Sequence, residues 1–332
     1  MKFLRKIMVL CAFIAGIGTS ASLMAAEINL PDIGGEVPQA VAAKESLKKD
    51  AVCTRCHDES ETKPILSIYQ TKHGVKGDPR TPSCQSCHGE SEKHLHGDPN
   101  VSGRAAPDVI FGTKKEKTSS FGPSEVKEQN AACLSCHKKD SKRTRWQGSA
   151  HQVGDLVCVS CHEIHTTHDK VRDKITQPEI CYTCHKEQRA DDNKNSHHPI
   201  EEGKVVCSDC HNPHGSTAPK LLKKNTVNET CFTCHAEKRG PFLWEHQPAN
   251  ENCSNCHTPH GSNISPLLKS RPPFMCEECH DGPHVSLTPV GPGLAIGQPS
   301  APGNIQFAGR ACMNCHVMVH GSNSPSGAFL HR

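Results

Sequence analysis

CSDCHNPHGSTAPKLLKK, from Cys207 to Lys224, is the stretch on which the reading of this chain turns. It opens with Cys-x-x-Cys-His, closed at His211, and carries a second histidine, His214, three residues further on. CSNCHTPHGSNISPLLKS from Cys253 and CMNCHVMVHGSNSPSG from Cys312 are copies of it. The five-residue pattern occurs ten times, ending at His57, His88, His137, His162, His185, His211, His235, His257, His280 and His316. Scattering the same cysteines and histidines at random would give roughly 0.1 such matches. Two thiols three positions apart lie on one turn, where both can add to the vinyl groups of one porphyrin. The next residue then points its imidazole at the iron from the same side.

The motifs therefore specify ten covalently bound c-type haems (haem c, iron-containing). Their thioether positions are Cys53, Cys56, Cys84, Cys87, Cys133, Cys136, Cys158, Cys161, Cys181 and Cys184, then Cys207, Cys210, Cys231, Cys234, Cys253, Cys256, Cys276, Cys279, Cys312 and Cys315. Cys-x-x-Cys pairs can also hold structural zinc or form redox disulfides. Neither has a reason for a histidine directly after every second cysteine, and a disulfide closing so small a loop is strained.

Ten of the 24 histidines belong to the motifs, leaving fourteen. One extra histidine per motif recurs: His73, His94, His151, His165, His198, His214, His246, His260, His284 and His320. His96, His168, His197 and His331 are spares, with His96 for His94, His168 for His165 and His197 for His198 as the open swaps. His331, near the end of the sequence, reads as an exposed side chain. Methionine is the other common sixth ligand. Only Met275, Met313 and Met318 lie beyond the N-terminal stretch, too few for ten irons. Bis-histidine ligation follows, with closed, low-potential, six-coordinate centres. Opposite imidazoles on one iron need α-carbons roughly 12 Å apart, and three extended residues span about 10 Å. His165, His214 and His260 should therefore serve a haem other than that of the motif just before them.

Residues 1–26 read as a secretory signal peptide. Lys2, Arg5 and Lys6 precede an apolar run from Ile7 to Ile17, and Ala25-Ala26 form a small-residue exit. The run is too short for a membrane-spanning helix. Cys11 lies within it, with a lipid-anchored cysteine as the competing reading. The sequence carries 38 Lys+Arg and 35 Asp+Glu, so removing the signal leaves the charges balanced. Propionates and ferric centres would bring the oxidised holoprotein to roughly −10 and full reduction to roughly −20. Nothing in that balance points to nucleic acid.

Residues 27–332 read as one decahaem cytochrome of five two-haem repeats, about 51–100, 131–170, 178–222, 228–270 and 274–322. With 4% aromatic and 34% hydrophobic residues, the polypeptide has little from which to build a core, and haem is expected to supply it. The fold class expected is a multihaem cytochrome c: mostly irregular, haem-packed, with short α-helices, for instance around Ser124 to Cys136, and little or no β-sheet. Two insertions, Gly89 to Asn130 and Ser286 to Arg310, interrupt the motifs, the second rich in Gly and Pro. Trp146 and Trp244 are expected to pack against porphyrin. A compact chain of this length has a radius of gyration near 19 Å, and an elongated linear array would exceed it.

The paired motifs, the CHNPHGS and CHTPHGS runs, the stretch ETCFTCHAEKRGPFLWEH from Glu229 to His246 and the ending HGSNSPSG resemble the MtrA family of periplasmic decahaem cytochromes. That family includes relatives of the MtoA, PioA and DmsE kind. The resemblance covers the chain beyond the signal and is strongest from Cys181 onward. It implies a periplasmic, outer-membrane-associated cytochrome inserted in a porin-like β-barrel, moving electrons between periplasm and cell exterior. The partners implied are that barrel, periplasmic or inner-membrane quinone-linked cytochromes, and an extracellular multihaem cytochrome or iron itself. Extracellular iron oxidation and metal reduction both fit, with a slight lean to the former. The alternatives are a freely diffusing periplasmic carrier and a multihaem terminal reductase. A reductase needs an open iron site, and the surplus of histidines argues against one, so no catalytic residue is assigned.

Overall fold

The computed structural model describes residues 38–331, apart from 62, 76, 77, 79, 101, 116, 118, 326 and the stretch 281–310. The signal peptide, Cys11, His284 and the loop 286–310 lie outside the described residues.

One short-range bond shapes the motifs. The His57 N–H donates to the carbonyl of Cys53 at 3.0 Å, and the same bond recurs at 2.9 or 3.0 Å in the motifs ending at His162, His185, His211, His235, His257, His280 and His316. This single helical turn puts both sulfurs and the imidazole on one side of the backbone. The longest helices, Pro38–Thr54 and Val126–His137, run into the first and third motifs. Most other α-helices among the described residues, such as Cys84–His88, Gln177–Tyr182, Lys186–Asp192 and Val227–Cys231, are five to seven residues long. Ser83 and Thr226 begin two of them by accepting the N–H three residues ahead, and Pro178 and Pro248 sit in first turns where no donor is needed.

Among the described residues there is no sheet, only four isolated bridges. Two of these, His211 with Leu222 and His257 with Leu268, fold equivalent tails back onto their own motifs. The others, Ser196 with Ser262 and Trp244 with Ser322, tie one repeat to the next. The architecture is that of a multihaem cytochrome c, as the sequence requires.

Hydrophobic side chains give the described residues only a small core. The buried hydrophobic residues among those described are Ala105, Val157, Tyr182, Val206 and Leu268, outnumbered by buried polar ones. Four of the buried polar residues act as equivalent locks. Asp50, Asn130 and Asn228 each stand three residues before the first cysteine of a repeat, and Gln177 four before. Their side-chain oxygens accept from Cys84 N at 3.0 Å, Cys158 N at 2.9 Å, Cys253 N at 2.7 Å and Ser208 N at 2.9 Å. Each lock therefore clasps one motif to the motif that follows it in sequence. Fully satisfied buried bonds of this kind specify geometry, because leaving one unmade costs about 1–3 kcal/mol.

The Gly89 to Asn130 insertion wraps the second motif. Asp108 accepts from Ser91 N at 2.8 Å, Ser124 Oγ from Ile110 N at 3.0 Å, and Gln129 bridges Gly112 through both its amide atoms. Phe111 meets the His88 ring edge-on at 5.2 Å.

Candidate functional site

A metal held between two imidazole nitrogens, with bonds of about 2 Å on each side, separates the ring centres by roughly 6.3 Å. Histidine rings recur at that separation along the described residues. His57 faces His94 at 6.2 Å, His88 faces His165 at 6.2 Å, and His137 faces His73 at 6.0 Å. His162 faces His214 at 6.1 Å, His185 faces His151 at 6.2 Å, and His211 faces His260 at 6.0 Å. His235 faces His198 at 6.4 Å, His257 faces His320 at 6.1 Å, and His280 faces His246 at 6.0 Å. Each of these nine pairs joins one motif histidine to one outside the motifs. His165, His214 and His260 face His88, His162 and His211, not the motif histidines three residues before them.

The spares behave differently. His96 pairs with Glu92 at 3.4 Å, His168 is exposed, and His197 Nδ1 bonds to the carbonyl of Lys194. Among the described residues none of the three is set against another histidine ring. His331 is exposed as expected, yet its ring lies 4.4 Å from that of His316, a direct contact too close for an intervening metal.

Second partners fix which nitrogen each ring offers. Nδ1 of His88, His211, His257 and His316 bonds to the carbonyls of Val109, Lys220, Pro266 and Phe329 at 2.6–2.9 Å. Nδ1 of His94 and His165 bonds to those of Ala105 and Ile65, at 2.7 and 2.8 Å. A carbonyl can only accept, so Nδ1 carries the proton and Nε2 keeps its lone pair for a metal. One arrangement recurs: His151, His198 and His246 bond to the carbonyls of Pro213, Pro259 and Val319, each the residue just before a second facing histidine. Burial pushes the imidazole pKa of His73, His88, His137, His211 and His320 down, and that of His214 to about 4. Neutral rings are what metal ligation requires.

The sulfurs give the order of the sites. First cysteines meet within a repeat: Cys53 with Cys84, Cys133 with Cys158, Cys181 with Cys207, Cys231 with Cys253, and Cys276 with Cys312. The motifs between these pairs also neighbour one another: Cys87 with Cys133 and Cys136, Cys161 with Cys184, Cys210 with Cys234, and Cys256 with Cys279. Spatial order thus follows sequence order.

This donor set suits haem and not a bare ion. Among the described residues no group of three or more His, Cys, Asp or Glu side chains could hold a metal alone. Two opposed nitrogens flanked by a pair of sulfurs are what remains when a porphyrin supplies the other ligands. Of the tryptophans, Trp146 lies beside the His214 ring, and Trp244 Nε1 donates to the Ser324 carbonyl at 3.0 Å. The Nδ1 acceptors and the polar locks were not read from sequence. The only trace was Asp, Asn and Asn at one spacing before Cys53, Cys133 and Cys231.

Comparison with known proteins agrees with this chemistry. A family model described as a doubled CXXCH motif matches residues 197–240 and 246–284, and one described as cytochrome c-type protein NrfB-like matches 84–176. The multiheme cytochrome MtrA of Shewanella baltica (strain OS185) is 43% identical over 289 residues, covering 84% of this chain and 80% of that protein. The cytochrome c-type protein NrfB of Haemophilus influenzae is 33% identical over 157 residues, 41% of this chain and 65% of its own length. Its namesake in Escherichia coli O6:H1 is 30% identical over 153 residues, 44% of this chain and 70% of its own length. The chain belongs to the MtrA family of multihaem c-type cytochromes, and it is an electron-transfer protein, not an enzyme.

Proposed function

We propose that this chain is a fixed electron conduit carrying charge between periplasm and cell exterior through an outer-membrane β-barrel. The observation that carries the proposal is the series of nine imidazole pairs at 6.0–6.4 Å, ordered in space as in sequence. Haem, when bound, supplies a one-electron iron couple that needs no open ligand position. The residues do the rest. Motif cysteines fix each macrocycle, and facing imidazoles close both sides. Ligands borrowed from neighbouring repeats, such as His165 for His88 and His214 for His162, keep successive centres close.

Nine of the ten extra histidines are used by these pairs, leaving His284 for His316 and giving ten bis-histidine haems. His331, in contact with His316, is then a neighbour of that site and not its sixth ligand.

Among the described residues no helix is long and apolar enough to cross a membrane. A hydrocarbon layer of about 30 Å is therefore to be crossed inside a partner that faces the lipid. The test uses vesicles enclosing an oxidised redox dye, with a membrane-impermeant reductant outside. Holoprotein together with the porin-like barrel that co-purifies with it should reduce the dye, and neither alone should. Failure of the pair, with rapid exchange between the free holoprotein and soluble cytochromes, would instead make it a diffusing carrier.

A further inference from the structure

Where Nδ1 of a facing histidine is held, its partner is a backbone carbonyl in most pairs. His162 is different: its Nδ1 bonds to Oδ2 of Asp169 at 2.8 Å. Asp169 is held in place, because Oδ1 accepts from Glu163 N at 3.3 Å, and its side chain is only 16% exposed against 26% for His162. A second carboxylate contact, His57 Nδ1 to Glu61 Oε1 at 2.9 Å, is open to solvent, with side chains 41% and 37% exposed. His235 and Glu237 are 3.8 Å apart, too far for a hydrogen bond. On the other side of the fourth site, Arg143 acts on His214 and is already paired with Asp140.

A carboxylate acceptor draws the Nδ1 proton toward itself and makes Nε2 a stronger donor to its metal than a carbonyl does. Its negative charge, shielded from water, adds directly to that bias. Both effects favour the more positive oxidation state. Solvent screens the exposed Glu61 contact far more than the sheltered Asp169 one.

We propose that Asp169 is a positioning residue that makes the couple held by His162 and His214 the hardest to reduce in the central part of the array. This rests on the reading that these two histidines ligate one iron. An electron moving along the chain then meets a raised step at the fourth site. That site gains one electron and its neighbour loses one. No bond is made or broken, and the proton stays on His162 Nδ1.

The test is potentiometric titration of D169N holoprotein, which keeps an oxygen acceptor but loses the charge. One component, a tenth of the signal, should move to higher potential by about 59 mV, a tenfold change in its oxidised-to-reduced ratio. Haem content and low-spin character should be unchanged, and E61Q should give a smaller shift of a different component. A titration superimposable on wild type, or shifted downward, would overturn the proposal. So would a new high-spin fraction in D169N, which would make Asp169 a purely structural prop. The ligation reading fails separately, if H214A leaves every haem low-spin.

Discussion

Without haem, the chain is expected to give a coil-like circular dichroism spectrum and to melt without a cooperative transition. The reason is the composition of the interior. Fixing each residue costs about 1–2 kcal/mol of backbone entropy, and the described residues bury only Ala105, Val157, Tyr182, Val206 and Leu268 as hydrophobic cover. The locks at Asp50, Asn130, Gln177 and Asn228 define geometry once the repeats are packed, but buried hydrogen bonds alone give little net stability. The imidazole pairs come from segments far apart in sequence, such as His165 with His88 and His320 with His257, and on the proposed ligation a shared iron would draw them together. The check is the chain produced without residues 1–26, so that no haem is attached, compared with holoprotein. A cooperative, native-like melt of the haem-free chain would show that the few buried hydrophobic residues among those described suffice to fold it.

Gly261→Ala is expected to damage two haem sites at once. A Cβ on Gly261 would lie 1.9 Å from the carbonyl oxygen of Asp191, a backbone atom that cannot swing aside. Gly215 is in the same position after His214, where a Cβ would come 2.1 Å from the Arg145 carbonyl. At Gly261 the strain falls on the bridge between Ser196 and Ser262. One side of that bridge carries His260, facing His211, and the other carries His198, which bonds to the Pro259 carbonyl and faces His235. Overpacking of this kind costs about 1–3 kcal/mol, which should lower the first melting transition of the holoprotein by roughly 2–10 °C. Two haems should also acquire high-spin character. Gly122→Ala is the control: a Cβ there meets nothing within 4 Å, and its melt should match wild type. Equal melting of the two variants would mean that the close approach at Asp191 does not hold these repeats together.

Motif spacing made the sheet-poor, helix-broken fold readable, because each Cys-x-x-Cys-His is a local event closed by one backbone bond. Counting histidines gave a candidate set, but not who faces whom. That is decided by long-range packing: His94 faces His57 through the insertion that also wraps His88, and no periodicity in Gly89 to Asn130 announces it. The spacing argument limited His214 to a haem other than its neighbour's, while choosing His162 needed the fold. Asp169 was equally hidden, seven residues beyond its motif on a loop where an acidic residue reads as ordinary surface. His331 shows the reverse case, an exposed terminal side chain whose contact with His316 follows from the return of the tail onto the last motif.

The most direct measurement is the electron paramagnetic resonance of oxidised holoprotein, integrated against its covalently bound haem. Bis-histidine closure predicts ten haems per chain and a low-spin signal accounting for all of them, and no change in the visible absorption of the reduced protein on adding carbon monoxide. Fewer than ten haems, or a high-spin fraction that binds carbon monoxide, would leave an open iron in the array and contradict its reading as a closed conductor.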